Sequence, residues 1–509
     1  MDDPDTPGAD DHTARIAGAL ARQLSGWRHE ETHLSHVFIG PDTVYKLKKA
    51  VHLPFVDYST AGKRREGCRR EIEVNAEAAP EIYLGVLPVT EDGNGVAIDG
   101  DGAVVDWVVH MRAFRREDRA DIALADGRLS TDQVVTFIDE LFERHAATDR
   151  VDAPGWPETV IGIIEDIAAE TRSALPQTDH HEVEEWRLAL ESLIARERPV
   201  LAERGQQGVL DHCHGDLHLK NLCLWEGRLL AYDALEFDPE MVRIDALYDV
   251  AFLIADLWHR GASAAANAAA NRYVALAGEP RSWLLIPGYA SLRAAIRAMA
   301  EGAGGDRDAS RDYLETAQAF ADPPLTVPGI VIAGRSGTGK TTVAAALAAE
   351  LAPPPGAMHV RSDVVRKRLA GLHPEASLPA EAYTEEAREK VYGACAEAVG
   401  RVLGRWPVIW DVALAGEAVP VSRLEGFSLR IWLDAPDEIL AERIGGRRDD
   451  ASDATVEVMR KQRRAAPDDS FVTLDAGRPV DAIVRDILAL IEGDELRSAP
   501  PGHDPGHDV

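Results

Sequence analysis

The chain has 509 residues, 45% of them hydrophobic and 28% charged, a globular balance that excludes wholesale disorder, collagen-like repeats and a coiled-coil rod. At about 150 residues per domain, it holds two to four domains. Its 55 basic and 86 acidic residues give a formal net charge of −31, a field that repels phosphate backbones and anionic lipid and disfavours broad nucleic-acid or membrane binding. In chain order, residues 1–14 read as a solvated acidic tail without the apolar core of a secretory signal. Between 32 and 60, VFIG and DTVYKLKKAV read as two strands joined by a Gly-Pro-Asp turn. Residues 61–79 read as a charged helix. Strand patterns follow at YLGVLPV and AVVDWVVHM, and helical patterns at STDQVVTFIDELFERHAA, TVIGIIEDIAAETRSAL and 180–205. A loop-rich stretch covers 209–245, and helical pattern then returns until about 320. Strands followed by helices predict an α+β domain.

The Pro-rich stretch ADPPLTVPG at 321–329 marks the expected boundary. Beyond it, the apolar runs GIVIA, MHV, PVIWD, LRIWLD and FVTLD alternate with helical stretches, the pattern of a parallel α/β sheet. Residues 496–509 read as a second tail. No apolar run reaches the roughly 18 residues of a membrane span. The four cysteines, Cys68, Cys213, Cys223 and Cys395, form no CxxC pair, which fits a reducing cytoplasm.

The first cluster of chemistry lies in His214-Gly215-Asp216-Leu217-His218-Leu219-Lys220-Asn221. Asp and Asn stand five apart, as in the kinase catalytic loop, where the Asp deprotonates a hydroxyl and the Asn binds Mg²⁺. A second metal carboxylate belongs on the next hairpin, and Asp233 in RLLAYDALEF follows an apolar strand there. A strand lysine paired with a helical glutamate completes the set. VYKLKK offers Lys46 or Lys48, which alternate onto one face, and Glu71 is the best helical partner. HGDLHLKN and YDALEF resemble the aminoglycoside phosphotransferase group over about 15–320. That resemblance implies the α+β protein-kinase-like fold, and it reads Asp245 and Asp249 as buried helix acids that support the fold. The chain departs from kinases in having no GxGxxG between 25 and 45.

The second cluster is a full GxxxxGK[ST] match: Gly334, Arg335, Ser336, Gly337, Thr338, Gly339, Lys340 and Thr341, with Thr342 next. It follows the strand GIVIA and opens the helix TTVAAALAAELA. Backbone N–H groups and the helix N-terminus cradle phosphates there; Lys340 reaches the β/γ-phosphates and Thr341 ligates Mg²⁺. Asp411 ends the strand PVIW, placed either for the metal shell or as a cap. Asp363 and Arg366 share one helical face; Asp363 either takes a hydroxyl proton or caps its helix. Arg443, Arg447 and Arg448 suit a lid over transferring phosphate. These features resemble the P-loop kinases of the zeta-toxin, gluconate-kinase and polynucleotide-kinase group over about 327–490. The resemblance implies Asp363 as general base, Arg366 on the acceptor and the late arginines as lid.

The expectation is therefore a kinase-like domain at 15–320, a linker at 321–328 and an α/β P-loop NTPase domain with a parallel sheet at 329–495. Each would move the γ-phosphoryl group of ATP, with Mg²⁺, to a hydroxyl of a small polar acceptor such as a sugar or aminoglycoside-like compound. The alternatives for the P-loop half are a regulatory ATPase or nucleotide sensor, a 5′-OH polynucleotide kinase, or a toxin-like kinase.

Overall fold

The computed structural model describes residues 9–53, 56–322, 327–378, 384–412, 421–446, 455–462 and 468–498. The chain divides into two compact units, Met1–Pro154 with Arg204–Leu253, and Gly155–Glu203 with Ile254–Val509. The expected linker at 321–328 falls inside the second unit, and its residues 323–326 lie outside the described residues.

In the first unit, strands β1 (Arg28–Glu31), β2 (Ser35–Ile39) and β3 (Thr43–Lys48) form a meander. A small hairpin, β4 (His52–Leu53) and β5 (Val56–Asp57), follows. Strands β6 (Tyr83–Asp92), β7 (Gly95–Ile98) and β8 (Ala103–Arg112) complete an antiparallel sheet of order β1-β2-β3-β8-β6-β7. Successive residues of a strand point to opposite faces. Leu47 and Val108 therefore pack on one face with Ile16, Ala17 and Leu20, while Val109 and Met111 pack on the other with Cys68 and Ile82. Lys46 and Lys48 flank Leu47, which puts both on the side of the helix Ala61–Asn75. Thr60 caps that helix by accepting the Lys63 N–H at 3.3 Å.

The expected tail at 1–14 is corrected from residue 9 onward by the helix Ala9–Gln23; residues 1–8 lie outside the described residues. Thr13, Ile16, Ala17 and Leu20 are buried at helical spacing, so an apolar stripe overrides the acidic start. Two short antiparallel pairs follow: β9 (Arg150–Val151) with β10 (Val209–Leu210), and β11 (Leu222–Trp225) with β12 (Arg228–Ala231). The second pair turns at Glu226 and Gly227, both at positive φ (50° and 84°), the twist a two-residue hairpin prefers.

In the second unit, β13 (Gly329–Gly334), β14 (Met358–Arg361), β15 (Val408–Val412), β16 (Leu429–Asp434) and β17 (Val472–Asp475) form a parallel sheet of order β14-β15-β13-β16-β17. These are the five expected runs. Every residue of β13 is buried, as a strand covered on both faces must be. The helix Val480–Ser498 runs into the segment expected as a tail from 496; residues 499–509 lie outside the described residues.

Strand β14 is an edge, and an edge strand presents backbone groups that need partners. Helix Ser263–Ala277 supplies them. Asn267 Nδ2 donates to the carbonyls of Pro355 and Ala357 at 2.8 and 3.0 Å. Asn271 Oδ1 accepts the His359 N–H at 2.6 Å, and its Nδ2 donates to Ala357 O at 3.2 Å. Asn271→Leu strands the His359 N–H in a part-buried site, at a cost of about 1–3 kcal/mol. Thermal or denaturant unfolding of the variant is expected to show that loss; a midpoint equal to wild type would mean the edge is satisfied without Asn271.

Candidate functional site

In the first unit, the β11–β12 hairpin brings the two halves of the candidate metal set together. Leu222 pairs with Ala231, and Tyr232 N–H donates to Asn221 O at 2.9 Å. Asn221, just before the hairpin, and Asp233, just after it, thus sit at its open end. Asn221 Nδ2 donates to Asp216 Oδ2 at 2.8 Å and to Asp216 O at 3.0 Å. Those bonds commit the amide N–H groups to Asp216 and leave the amide oxygen as a donor for a cation. His218 Nε2 lies 3.3 Å from Asp216 Oδ2, and His218 Nδ1 accepts the Lys220 N–H.

Asp249 holds the loop from beneath. Its two carboxylate oxygens accept the N–H groups of His214 and Gly215 at 3.1 and 2.9 Å. Asp245 instead pairs with Arg204 through two 2.5 Å contacts. Both are buried, and these contacts tie them to the surrounding chain. Gly215 has φ 79°, a conformation that favours glycine. Burial lowers the His214 imidazole below its ordinary value against Asp249 and Asp216.

Lys46 and Lys48 both reach Glu71, at 2.9 and 2.7 Å. Lys46 also meets Asp233 Oδ1 at 2.5 Å. The Lys46 side chain keeps 15% exposure and Lys48 only 1%, so of the two it is Lys46 that joins Asp233 at the accessible end. Burial disfavours both ammonium groups, yet Asp233, Glu71 and Glu236 around Lys46, and Glu71 and Glu236 around Lys48, hold each well above the ordinary lysine value. Burial also disfavours the Glu71 carboxylate, but the two lysines bring it down to about 2. Tyr83 and Asn75, which sequence reasoning missed, hold the Asp233 segment. Asp233 N–H donates to Tyr83 Oη at 2.9 Å, and Ala234 N–H donates to Asn75 Oδ1 at 2.9 Å. Only their neighbourhood in space marks them.

In the second unit, the loop after β13 wraps a cleft of about 380 Å³. Ser336 to Thr342, Asp363, Asp411 and Arg443 all line it, together with Arg361 and Arg478. Gly334, Gly337 and Gly339 have φ of 150°, 89° and 80°. A Cβ on Gly334 would lie 2.3 Å from Leu433 O and one on Gly337 2.8 Å from Leu440 O, so only glycine fits the bend. Lys340 Nζ donates to Arg335 O at 2.9 Å. Thr341 Oγ1 donates to Asp411 Oδ2 at 2.5 Å, and this hydroxyl–carboxylate pair is the oxygen donor set Mg²⁺ takes.

Asp411 lies within β15, paired with Ile332 and Arg361; it is not a cap. Asp363 is not one either: Arg361 occupies the cap position, with no side-chain cap bond. Burial and the nearby Asp411 raise the Asp363 carboxyl above its ordinary range, against Lys340, Arg366 and Arg361. Burial opposes the Asp411 charge too, but His359, Lys340 and Thr341 keep its carboxyl below the ordinary value.

Two expected residues stand differently, and two lie outside the described residues. The Arg335 side chain turns to Asp434, Asp437 and Ala435 O at 2.9, 2.6 and 2.9 Å, so the cleft meets its neighbours and not its guanidinium. Arg366 does not line the cleft, although its charge acts on Asp363. Arg447 and Arg448 lie outside the described residues. Arg361 and Arg478 were missed. Arg361 stands one residue before the SDxxR stretch and Arg478 just after the last strand, positions at the C-terminal ends of parallel strands, where ligands bind.

Residues 330–467 match the family model of an AAA domain. The chain is 27% identical to uncharacterized proteins of Mycobacterium tuberculosis and Mycobacterium bovis over 358 residues, 67% of this chain and 68% of each relative. Among solved structures, it is similar to a gluconokinase from Sinorhizobium meliloti (22% identity, 34% of this chain and 98% of that one, TM-score 0.26). It is also similar to a thermostable mutant of aminoglycoside phosphotransferase APH(4)-Ia (14% identity, 60% and 98%, TM-score 0.38). A third is a glucosamine kinase (14% identity, 61% and 84%, TM-score 0.36). The first unit thus carries a six-stranded antiparallel sheet, and the second a five-stranded parallel sheet with the phosphate-loop motif and the AAA-domain match.

Proposed function

We propose that this is a bifunctional ATP-dependent phosphotransferase in which each half moves a γ-phosphoryl group to a hydroxyl of a small polar acceptor. The observation that carries the reading is one of convergence. Asp363, Asp411, Thr341 and Lys340, drawn from the C-terminal ends of three adjacent strands, line a single cleft. The first site supports it in parallel, with Lys46, Glu71 and Asp233 in one chain of contacts and Asn221 bonded to Asp216.

In each site, the acceptor oxygen forms a bond to the γ-phosphorus as the β,γ-bridging P–O bond breaks, and ADP leaves. The hydroxyl proton goes to Asp216 in the first site and to Asp363 in the second. Lys46 and Lys340 neutralise phosphate oxygens, and Arg443 closes over them. Asn221 with Asp233, and Thr341 with Asp411, would hold Mg²⁺, which supplies further charge neutralisation when bound. A raised carboxyl suits Asp363 as a base, because its proton affinity approaches that of the working pH. The four cations along the second cleft, Lys340, Arg361, Arg443 and Arg478, outnumber its two aspartates and suit triphosphate.

ADP release from ATP–Mg²⁺ against aminoglycosides, sugars, nucleosides and 5′-OH oligonucleotides tests the reading. Asp216→Asn is expected to lower the turnover stimulated by one acceptor by about 10²–10⁴-fold, and Lys340→Ala to abolish that stimulated by another. No stimulation by any acceptor, with both variants equal to wild type, would leave the P-loop half as a nucleotide sensor at most.

The second site also carries a pH signature. Asp363 must be ionised to accept a proton, and its carboxyl is raised from 3.8. In an Asp216→Asn background, kcat/KM is expected to fall as pH drops through a midpoint above 3.8, and Asp363→Asn to remove that limb with the activity. An acid limb at the ordinary aspartate value would exclude Asp363 as the base.

A further inference from the structure

Lys48 donates to Glu71 Oε2 at 2.7 Å and also to Glu236 Oε1. Glu236 lies three residues beyond Asp233 and accepts the Tyr58 hydroxyl at 2.9 Å. The Tyr58 ring covers the Lys48 ammonium, 4.9 Å from its centroid. The Lys48 and Glu236 side chains are only 1% and 6% exposed, so this pair is built into the interior, unlike a surface ion pair.

The segment between Asp233 and Glu236 is tied residue by residue. Tyr83 takes the Asp233 N–H, Asn75 brackets Ala234 through its N–H and its carbonyl, and Leu235 N–H donates to His214 O at 3.0 Å. Asp233 itself has φ 62°, a left-handed conformation that a non-glycine residue keeps only where its surroundings over-determine it.

We infer that Lys48 is a positioning residue: by bridging Glu71 and Glu236 it holds the 233–236 segment so that Asp233 faces a divalent cation, while Lys46 serves the nucleotide phosphates. The inference rests on the nucleotide–Mg²⁺ reading of the first site. Lys46 is shared between Glu71 and Asp233, and a nucleotide with its cation draws both Lys46 and Asp233 to new partners. Lys48, shut away from the accessible end, keeps its two carboxylates through that exchange. Without it, the tie between Glu71 and the 233–236 segment is lost, and two buried carboxylates that met on one ammonium are left to repel. Loss of the tie alone frees the segment that begins with Asp233 and ends in Glu236; the repulsion adds to it.

The test uses the full chain carrying Lys340→Ala, which removes the P-loop lysine. Binding of a fluorescent N-methylanthraniloyl ATP is measured in EDTA and then as Mg²⁺ is titrated in. Lys48→Met is expected to raise the Mg²⁺ concentration at half-effect by about 10–100-fold, the usual cost of losing a partner behind a metal ligand, with metal-free binding little changed. Lys46→Met is expected to do the reverse, and Lys48→Arg to recover part of the Mg²⁺ response. Lys48→Met endangers folding because it strands buried charge. Lys48→Met with Glu236→Leu removes one charge of each sign, leaves Lys46 on Glu71, and is expected to shift the Mg²⁺ midpoint in the same direction by a smaller factor, through loss of the tie without the repulsion. An unchanged Mg²⁺ midpoint in the paired variant overturns the inference. Loss of metal-free binding in Lys48→Met equal to that in Lys46→Met also overturns it, by making Lys48 the phosphate lysine. If the Lys340→Ala parent binds no nucleotide with or without Mg²⁺, the reading of the site itself fails, and the inference with it.

Discussion

A carboxylate without solvent must be neutralised where it stands, and in the first unit one such carboxylate is Glu71, with no exposed surface. Ionising it alone at such depth costs several kcal/mol, and breaking a buried pair about 3–5 kcal/mol. The fold meets this demand with two lysines from one strand face and ties their other ends to Asp233 and Glu236. The positions of β3, of the helix Ala61–Asn75 and of the segment after β12 are thereby linked through one cluster of charge.

The second unit solves a different problem by shape. A phosphate site needs converging backbone N–H groups, and these converge only where the chain bends more tightly than a Cβ allows. Gly334 and Gly337 pass so close to Leu433 O and Leu440 O that a side chain has no room. Gln462 then fastens the loop, accepting the Ser336 N–H at 2.7 Å and donating to Ser336 Oγ at 2.9 Å. Arg335 does the same from its own side through Asp434 and Asp437. The carboxylates come from neighbouring parallel strands: β15 ends beside β13 and carries Asp411, and the helix after β14 carries Asp363. Adjacent strands of a parallel sheet end together, which is why residues far apart in the chain share one cleft.

Most of the regular structure was legible because burial writes a period into a strand or helix. The β2–β3 hairpin and the helices Thr131–Ala147 and Trp156–Ala174 carry that period, whereas the central strands of the parallel sheet, buried on both faces, read as short continuous apolar runs. Helix Ala9–Gln23 was missed because acidic residues mask its first turn, and β1 because all four of its residues are exposed. The unit division was not legible either. Helix Ser263–Ala277 precedes the Pro-rich stretch in the chain, yet its Asn271 satisfies the edge of β14 at His359 and its Asn267 the segment just before it. No local pattern announces that an asparagine will bond a strand almost ninety residues later.

The sequence alone determined the chemistry on offer: a complete phosphate loop, an Asp and Asn five apart, and acids at strand ends. Those signals are local, since each depends on spacing within a loop or one turn of helix. Tertiary structure decided which of Lys46 and Lys48 stays accessible, that Asp363 and Asp411 are line-mates of one cleft, and that the Arg335 side chain faces away from it. Two lysines on one strand face have the same period and the same charge, so no sequence rule separates them. Their difference lies in depth and in partners contributed by residues about 190 positions away, and only the folded chain brings those partners near.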